Sequence, residues 1–456
     1  MHGAAAFPTL DLIGKTPLIQ LTGFDTGPCE LFLKLECQNP GGSIKDRIAV
    51  SMVEAAEQSG ELKPGGTMVE ATAGNTGIGL ALVAAIKGYR LILVIPDKMS
   101  PEKIAHAKAL GADIRLTRSD VGPGHPLFYK DMAVRITAET PGAFHVDQFG
   151  NHANPLAHEK TTGPEIWEQM NHRLDAIICG IGSGGTMTGL SRFLARAEPA
   201  VEMVLADPEG SALAPLVQGT PVSCGSYAVE GIGSATLPPI ADVSRVYKAY
   251  SISDGESFET ARELLKRTGI FGGSSSGTLL AAALRYCREQ EQPRRVVTFV
   301  CDTGGKYLSK MYNDYWMLDQ GYYERPSTGT LRELISRRYE EGSVITVTPD
   351  DTMLTAFQRM RMADVSQVPV MEQGQCVGVL DESDVLAAIH GEPQRFHAPV
   401  RSAMTSRLET ISADEPIGSV YGILNRGLVA LVTDGDAFVG LITRSDLLSY
   451  MRRKLK

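Results

Sequence analysis

Lys45 stands just past a glycine-rich turn, in Asn39-Pro40-Gly41-Gly42-Ser43-Ile44-Lys45-Asp46-Arg47. The apolar run 30–35 precedes that turn and the run 48–53 follows it, so the order reads strand, turn, helix. Ser43, with Asp46 three positions on, spells an S-x-x-D cap for the helix. A lysine one step inside a capped helix lies at the positive end of the helix dipole, which disfavours its ammonium form. A neutral amine can condense with an aldehyde to a Schiff base. Taken alone, a capped lysine is an ordinary solvated side chain.

Three further turns make Lys45 harder to set aside. Thr72-Ala73-Gly74-Asn75-Thr76-Gly77 follows the strand-like run 67–71 and opens an alanine-rich helix. Gly180-Ile181-Gly182-Ser183-Gly184-Gly185-Thr186 follows the strand-like run 175–179 and opens another, and Gly272-Gly273-Ser274-Ser275-Ser276-Gly277 opens a third. Turns that each precede a helix can point peptide N–H groups at anions. Gly180, Gly182 and Gly185 also satisfy G-x-G-x-x-G, and Asp207 follows about 20 residues later as a dinucleotide fold would want. That reading leaves Lys45 without a role.

The elements that must position these turns alternate. Strand-like stretches at 91–95, 113–116, 201–206 and 296–301 are interleaved with helix-like stretches at 101–110 and 186–195. Gly60, Gly88 and Gly111 fall where helices should end. Alternating βα units predict parallel sheets with helices on both faces and ligands at the carboxyl ends of the strands. After residue 322 the pattern changes: 325–330 reads as a linker, and an internal repeat follows. The stretch 378–386 recurs at 440–448, and 348–351 recurs at 412–415, each copy reading as strand, helix, two strands, helix. The expected division is 1–322, a linker at 323–337, and two repeats at 338–394 and 395–456.

The 456 residues carry 44 basic and 53 acidic side chains, a net charge of −9. No basic stripe marks nucleic acid as a partner, and no apolar run approaches the ~20 residues of a membrane span. The N-terminus lacks a signal-peptide pattern, and the seven cysteines are scattered without C-x-x-C, which reads as reduced and cytoplasmic. Histidines and carboxylates have no metal spacing; His145, His152 and His158 read as capping or surface groups.

With these turns in this order, residues 8–320 resemble the fold-type II pyridoxal-phosphate enzymes of the cysteine-synthase and cystathionine β-synthase group. Ile13-Gly14-Lys15-Thr16-Pro17-Leu18, Asn154-Pro155-Leu156-Ala157-His158 and Thr161-Thr162-Gly163-Pro164-Glu165-Ile166-Trp167 look like sequence of that group. Asp207-Pro208-Glu209-Gly210-Ser211 and Val229-Glu230-Gly231-Ile232-Gly233 lean towards its cystathionine β-synthase branch. The repeat resembles a tandem pair of CBS domains, a Bateman module. The implied fold is α/β, two parallel-sheet subdomains followed by an α+β CBS pair.

The resemblance implies pyridoxal 5'-phosphate as cofactor, Lys45 as its Schiff-base lysine and general base, and Gly182, Ser183, Gly184, Gly185 and Thr186 around its phosphate. Asn75 would face the ring oxygen. Ser275 would face the pyridine nitrogen, with Ser274 and Ser276 one residue to either side. Thr72, Ala73, Gly74, Thr76 and Gln148 would hold the substrate carboxylate; Ala73 stands where the group usually has Ser. The implied reaction is a β-replacement joining L-serine and L-homocysteine to cystathionine, with hydrogen sulfide released from cysteine. The alternative is a cysteine synthase using O-acetylserine and sulfide, favoured by residues 161–167 and by Ser234-Ala235 in place of Tyr-Asp. Only about a dozen residues precede Ile13, so no haem segment is expected. Thr443 and Asp446 match the pair that holds a ribose in CBS domains, whereas Asp381 stands beside Asp384 in the first repeat, so the second repeat is the expected adenosyl site. A homodimer or homotetramer is implied.

Overall fold

The computed structural model describes residues 7–72, 74–323 and 327–454. Ala73, the 324–326 part of the expected linker and residues 455–456 lie outside the described residues. The chain divides into two compact units, 1–313 and 314–456.

In the first unit the strands are β1 (Leu18–Gln20), β2 (Glu30–Lys34), β3 (Thr67–Ala71), β4 (Arg90–Pro96), β5 (Asp113–Thr117), β6 (Ala143–His145), β7 (Ala176–Cys179), β8 (Glu202–Pro208), β9 (Val246–Ile252) and β10 (Arg295–Phe299). They form two sheets, β1-β2-β10-β7-β8-β9 and β5-β4-β3-β6. Every pairing is parallel except β1 with β2. The α/β expectation is therefore met. β3 and β7 are buried at every position, as strands covered by helices on both faces must be. Helices Lys45–Ser59 and Asn75–Lys87 pack on the second sheet around Ile48, Met52, Ile78 and Leu80. The loops after β2, β3, β6 and β7 carry most of the sequence-predicted site residues, and Ser275 lies in the first turn of helix Ser274–Arg288, which precedes β10.

The Lys45 helix does not start as the sequence suggests. Its N-cap is Ile44, with no side-chain cap, so the S-x-x-D box is not formed. Ser43 Oγ accepts from the Lys45 N–H at 3.2 Å, while the Asp46 carboxylate folds back onto the Gly41 N–H. The turn before Lys45 closes on itself, and this competes with the cap.

Behind that turn lies a buried ion cluster. Arg47, 4% exposed, donates to both oxygens of Glu36 at 2.7 and 2.8 Å and to both of Glu165 at 2.8 and 2.7 Å. Lys34 Nζ spends its three donors on Thr16 O, Glu165 Oε2 and Gln169 Oε1. Burial pushes the Glu165 carboxyl up, but the hydrogen bonds and charge of Arg47 dominate and bring it down to about 2.

In the second unit both repeats take the expected order. The first has helix Met353–Ala363, β11 (Gln367–Glu372), β12 (Gln375–Asp381) and helix Glu382–Ile389, its leading strand reduced to a parallel bridge from Val347 to Val370. The second has β13 (Thr410–Ser412), a short helical turn, β14 (Ala430–Asp434), β15 (Ala437–Ile442) and helix Arg444–Arg453. Leu331, Leu334 and Ile335, inside the expected linker, pack in the second repeat's core. Helix Asp314–Gln320 groups with this unit and meets helix Arg444–Arg453. Among the described residues no helix is long and apolar enough to cross a membrane.

Arg47→Met leaves the buried Glu36 carboxylate without a cation and Glu165 with Lys34 alone, and is expected to destabilise the first unit by about 3–5 kcal/mol. A fall in the midpoint of urea unfolding checks this; an unchanged midpoint contradicts it.

Candidate active site

One cavity is lined by Ile44 and Lys45 on one side and by Gly180, Gly182, Ser183, Gly184, Gly185 and Thr186 on another, with Ile232, Leu279, Phe299 and Cys301 between. Two turns 135 residues apart in sequence thus face one space. Burial pulls the Lys45 ammonium below the ordinary lysine pKa; Cys301, Asp302 and Glu36 oppose that shift and Lys103 adds to it. The direction is the one expected from the sequence, but burial is its first cause.

The loop after β7 is shaped for an anion. Helix Gly185–Ala197 begins inside it, and its N-cap Gly184 has φ of +97°, the left-handed region that favours glycine. A Cβ on Gly182 would stand 2.2 Å from the Gly231 carbonyl oxygen, so no side chain fits between loop and neighbour. Among the described residues no protein acceptor takes the peptide N–H groups of 183–187. Unpaired N–H groups at a helix start, in a cavity without side-chain bulk, fit a phosphate dianion. Ser183 Oγ accepts from Asn154 Nδ2 at 2.9 Å. Asn154 Nδ2 also donates to the Gln148 carbonyl at 2.7 Å, which joins this loop to the loop after β6. Thr186 Oγ1 lies 3.3 Å from His158 Nε2. His158 is 1% exposed and its Nδ1 meets Thr162 Oγ1. Burial holds its imidazole well below the usual histidine pKa, with the charges of Lys45 and Arg47 adding to the effect. The reading of His158 as a capping or surface group is thus corrected: it is a neutral wall behind the glycine loop. The charged Glu159 and Lys160 that follow it gave no hint that the helix turns inward there.

Asn75 opens helix Asn75–Lys87, and its amide is clamped at both ends. Nδ2 donates to Asp302 Oδ2 at 2.7 Å, and Oδ1 accepts from Lys306 Nζ at 2.8 Å. Lys306 also donates to Gly41 O and Gly42 O, so one ammonium ties the Asn75 turn to the turn that carries Lys45. Tyr307 Oη donates to the same Asp302 oxygen. Asp302 and Lys306 were missed from the sequence, although Cys301-Asp302-Thr303-Gly304-Gly305-Lys306 after a strand is one more glycine turn with charged members.

Of the three serines, Ser274 Oγ accepts from the Glu230 N–H and Ser276 Oγ from the Cys301 N–H. Ser275 sits against the Cys301 thiol, which lines the cavity. Gly273 is the N-cap of that helix, so none of the serines serves as a cap.

Thr72, Gly74, Thr76 and Gln148 do not line the same cavity; they form a second cluster at the end of β3. Thr72 Oγ1 accepts from Gly74 N–H at 3.2 Å, and Thr76 Oγ1 donates to Gln148 Oε1 at 2.6 Å. The clusters adjoin through the helices, since a Cβ on Gly79 would lie 3.1 Å from the Lys45 carbonyl. In the second unit, Thr443 caps helix Arg444–Arg453 in a capping box with Asp446, whose Oδ1 accepts from Ser336. Asp381 and Asp384 form the same box in the first repeat. Among the described residues no group of three His, Cys, Asp or Glu could hold a metal ion.

Comparison with known proteins agrees with this geometry. Residues 9–302 match the family model described as pyridoxal-phosphate dependent enzyme, and residues 332–391 and 400–453 match the CBS domain. A cystathionine beta-synthase of Oryctolagus cuniculus is 35% identical over 97% of this chain and 84% of its own length. A cysteine synthase B of Salmonella typhimurium is 42% identical over 65% of this chain and 93% of its own. The crystal structure of an O-acetylserine dependent cystathionine beta-synthase from Helicobacter pylori superposes with a TM-score of 0.62 at 34% identity, over 67% of this chain and 98% of that one.

Gly182→Ala is expected to weaken pyridoxal phosphate binding at least tenfold, because the new methyl must displace the Gly231 backbone. Titrating the stripped protein with cofactor and following its absorption measures this.

Proposed function

The chain belongs to the pyridoxal-phosphate dependent enzymes, and from that premise we propose that it joins L-serine and L-homocysteine to cystathionine, releasing hydrogen sulfide when cysteine is the first substrate. It is an enzyme of the cystathionine β-synthase type, with a CBS-domain pair, and β-replacement is the chemistry its relatives support. The observation that carries the proposal is the cavity shared by a half-buried Lys45 and an unpaired helix N-terminus. When bound, pyridoxal phosphate supplies an aldehyde for amines and a ring that spreads negative charge from the substrate Cα.

The residues at hand suit the rest of the work. The N–H groups of 183–187 and the Thr186 hydroxyl hold the phosphate, and Asn75, clamped by Asp302 and Lys306, presents a fixed N–H to the ring oxygen. Ser275 offers the pyridine nitrogen a hydroxyl and no carboxylate. Thr72, Gly74 and Thr76, at the start of helix Asn75–Lys87, receive the substrate carboxylate together with Gln148 from the loop after β6. Lys45 Nζ, whose ammonium form burial disfavours, takes the proton from Cα. The hydroxyl then leaves Cβ as water with the proton that Lys45 took up. The homocysteine thiol gives its proton to Lys45 as its sulfur forms the new C–S bond at Cβ, and Lys45 returns that proton to Cα.

The second reading, O-acetylserine with sulfide, is favoured by Ser234-Ala235 and by the cysteine synthase B relative. In the structure Ser234 is zipped to Ser211 through its N–H and carbonyl, so its backbone shapes the loop after β8.

With L-serine the purified yellow protein is expected to change its absorption and to recover on adding homocysteine; Lys45→Ala abolishes turnover. A response confined to O-acetylserine and reversed by sulfide establishes the second reading instead. For the CBS pair, Thr443→Ala is expected to weaken binding of adenosyl ligands about tenfold in calorimetric titration. Unchanged binding removes Thr443 from the proposal.

A further inference from the structure

Glu70 is a buried carboxylic acid that none of the steps above uses. It is the penultimate residue of the fully buried strand β3, 1% exposed, between Val69 and Ala71 of an apolar cluster. Among the described residues no cation comes within ion-pair distance of it, the charge of Lys130 acting only from further off, and its Oε2 has no hydrogen-bond partner. Unpaired burial of a carboxyl is costly, and an apolar residue of the same length would pack there without that cost. Burial accordingly pushes its pKa up to about 8. What Glu70 does hold is Gln148: its Oε1 accepts from Gln148 Nε2 at 3.0 Å.

Gln148 needs holding. It follows Asp147, a non-glycine residue at φ of +48°, so the chain enters this turn under strain. The Gln148 amide could be turned either way in principle. Turned over, its oxygen would face Glu70 Oε1 and the Ala71 carbonyl, two acceptors. With Nε2 directed to Glu70, Oε1 is the end that receives the Thr76 hydroxyl at 2.6 Å. The peptide N–H groups of Asp147 and Gln148 also act on the Glu70 carboxyl.

We propose that Glu70 is a positioning residue for the substrate carboxylate, fixing the orientation of the Gln148 amide and, through it, the Thr76 hydroxyl in the first turn of helix Asn75–Lys87. The proposal rests on the β-replacement reading and deepens it. Glu70 touches no substrate; it decides which face Gln148 and Thr76 present.

The test uses the full-length holoenzyme and a spectral titration with L-serine. Glu70→Met, which keeps length and removes the acceptor, is expected to raise the dissociation constant of serine about tenfold, while kcat falls less than threefold. Glu70→Gln, which restores an acceptor, recovers most of that loss. In a Gln148→Ala background, Glu70→Met adds nothing further, because both act through one amide. Serine binding unchanged in Glu70→Met overturns the proposal, as does an equal loss in Glu70→Gln. A multiplicative loss in the double variant, or disappearance of the cofactor band in Glu70→Met, overturns it too. If the unaltered protein responds to neither serine nor O-acetylserine, the β-replacement reading itself falls, and the positioning role with it.

Discussion

The first unit depends on one buried guanidinium. Arg47 lies two residues past Lys45, and its planar fork engages Glu36 and Glu165 bidentately, an arrangement that a lysine could not make. Glu36 belongs to the loop after β2, and Glu165 to helix Gly163–Gln169. The fork therefore locks three separate pieces of chain at the point where the Lys45 helix begins. Charges so buried are tolerated only when every donor and acceptor is satisfied. Thr16 and Lys34 complete the set, which explains why the segment around Ile13 wraps this cluster although it contributes nothing to the cavity.

In front of that anchor, the site is built mostly from backbone. The loops after β2, β3, β7 and β10 end strands of parallel sheets, and the helix after β7 leaves its first N–H groups without a protein acceptor among the described residues. Two side chains carry positioning across loops. Lys306 spends three donors on Gly41, Gly42 and Asn75, and Asn154 links the Gln148 carbonyl to Ser183. Each network joins separate loops through its donors, although Asn154 Oδ1 and Asp302 Oδ1 stay buried without a partner among the described residues. The geometry needed for chemistry at Lys45 is in this sense distributed among residues that never face the reacting atoms.

The second unit reuses a single device. Both repeats end in a helix whose first turn is closed by a reciprocal capping box, Asp381 with Asp384 and Thr443 with Asp446. The residues that suggest ribose recognition are thus also the residues that start the helices. The two copies differ by a hydroxyl against a carboxylate, so the first presents two acids where the second presents one.

Much was legible in the sequence because local rules decide it. The alternation of strands and helices, the terminal glycines at 60 and 88, the four glycine turns and the tandem repeat each follow from short-range pattern, and the structure keeps them. The Ser43 cap failed because a closer partner, the Gly41 N–H, claimed Asp46. His158 was misread because its burial comes from helices Ala153–Ala157 and Gly185–Ala197 meeting, which no local pattern encodes. Glu70, Asp302 and Lys306 were passed over for the same reason, since charged residues near turns are ordinarily solvated. The sequence by itself determined which turns exist and that Lys45 stands at the head of a helix. Only the tertiary structure decided that the Lys45 turn and the loop after β7 face one cavity and that burial disfavours the Lys45 ammonium there. It also brought Glu70, Gln148 and Thr76 into one chain of hydrogen bonds. Burial and long-range hydrogen bonding depend on which elements pack together, and separations of 72, 78 and 231 residues leave no local trace.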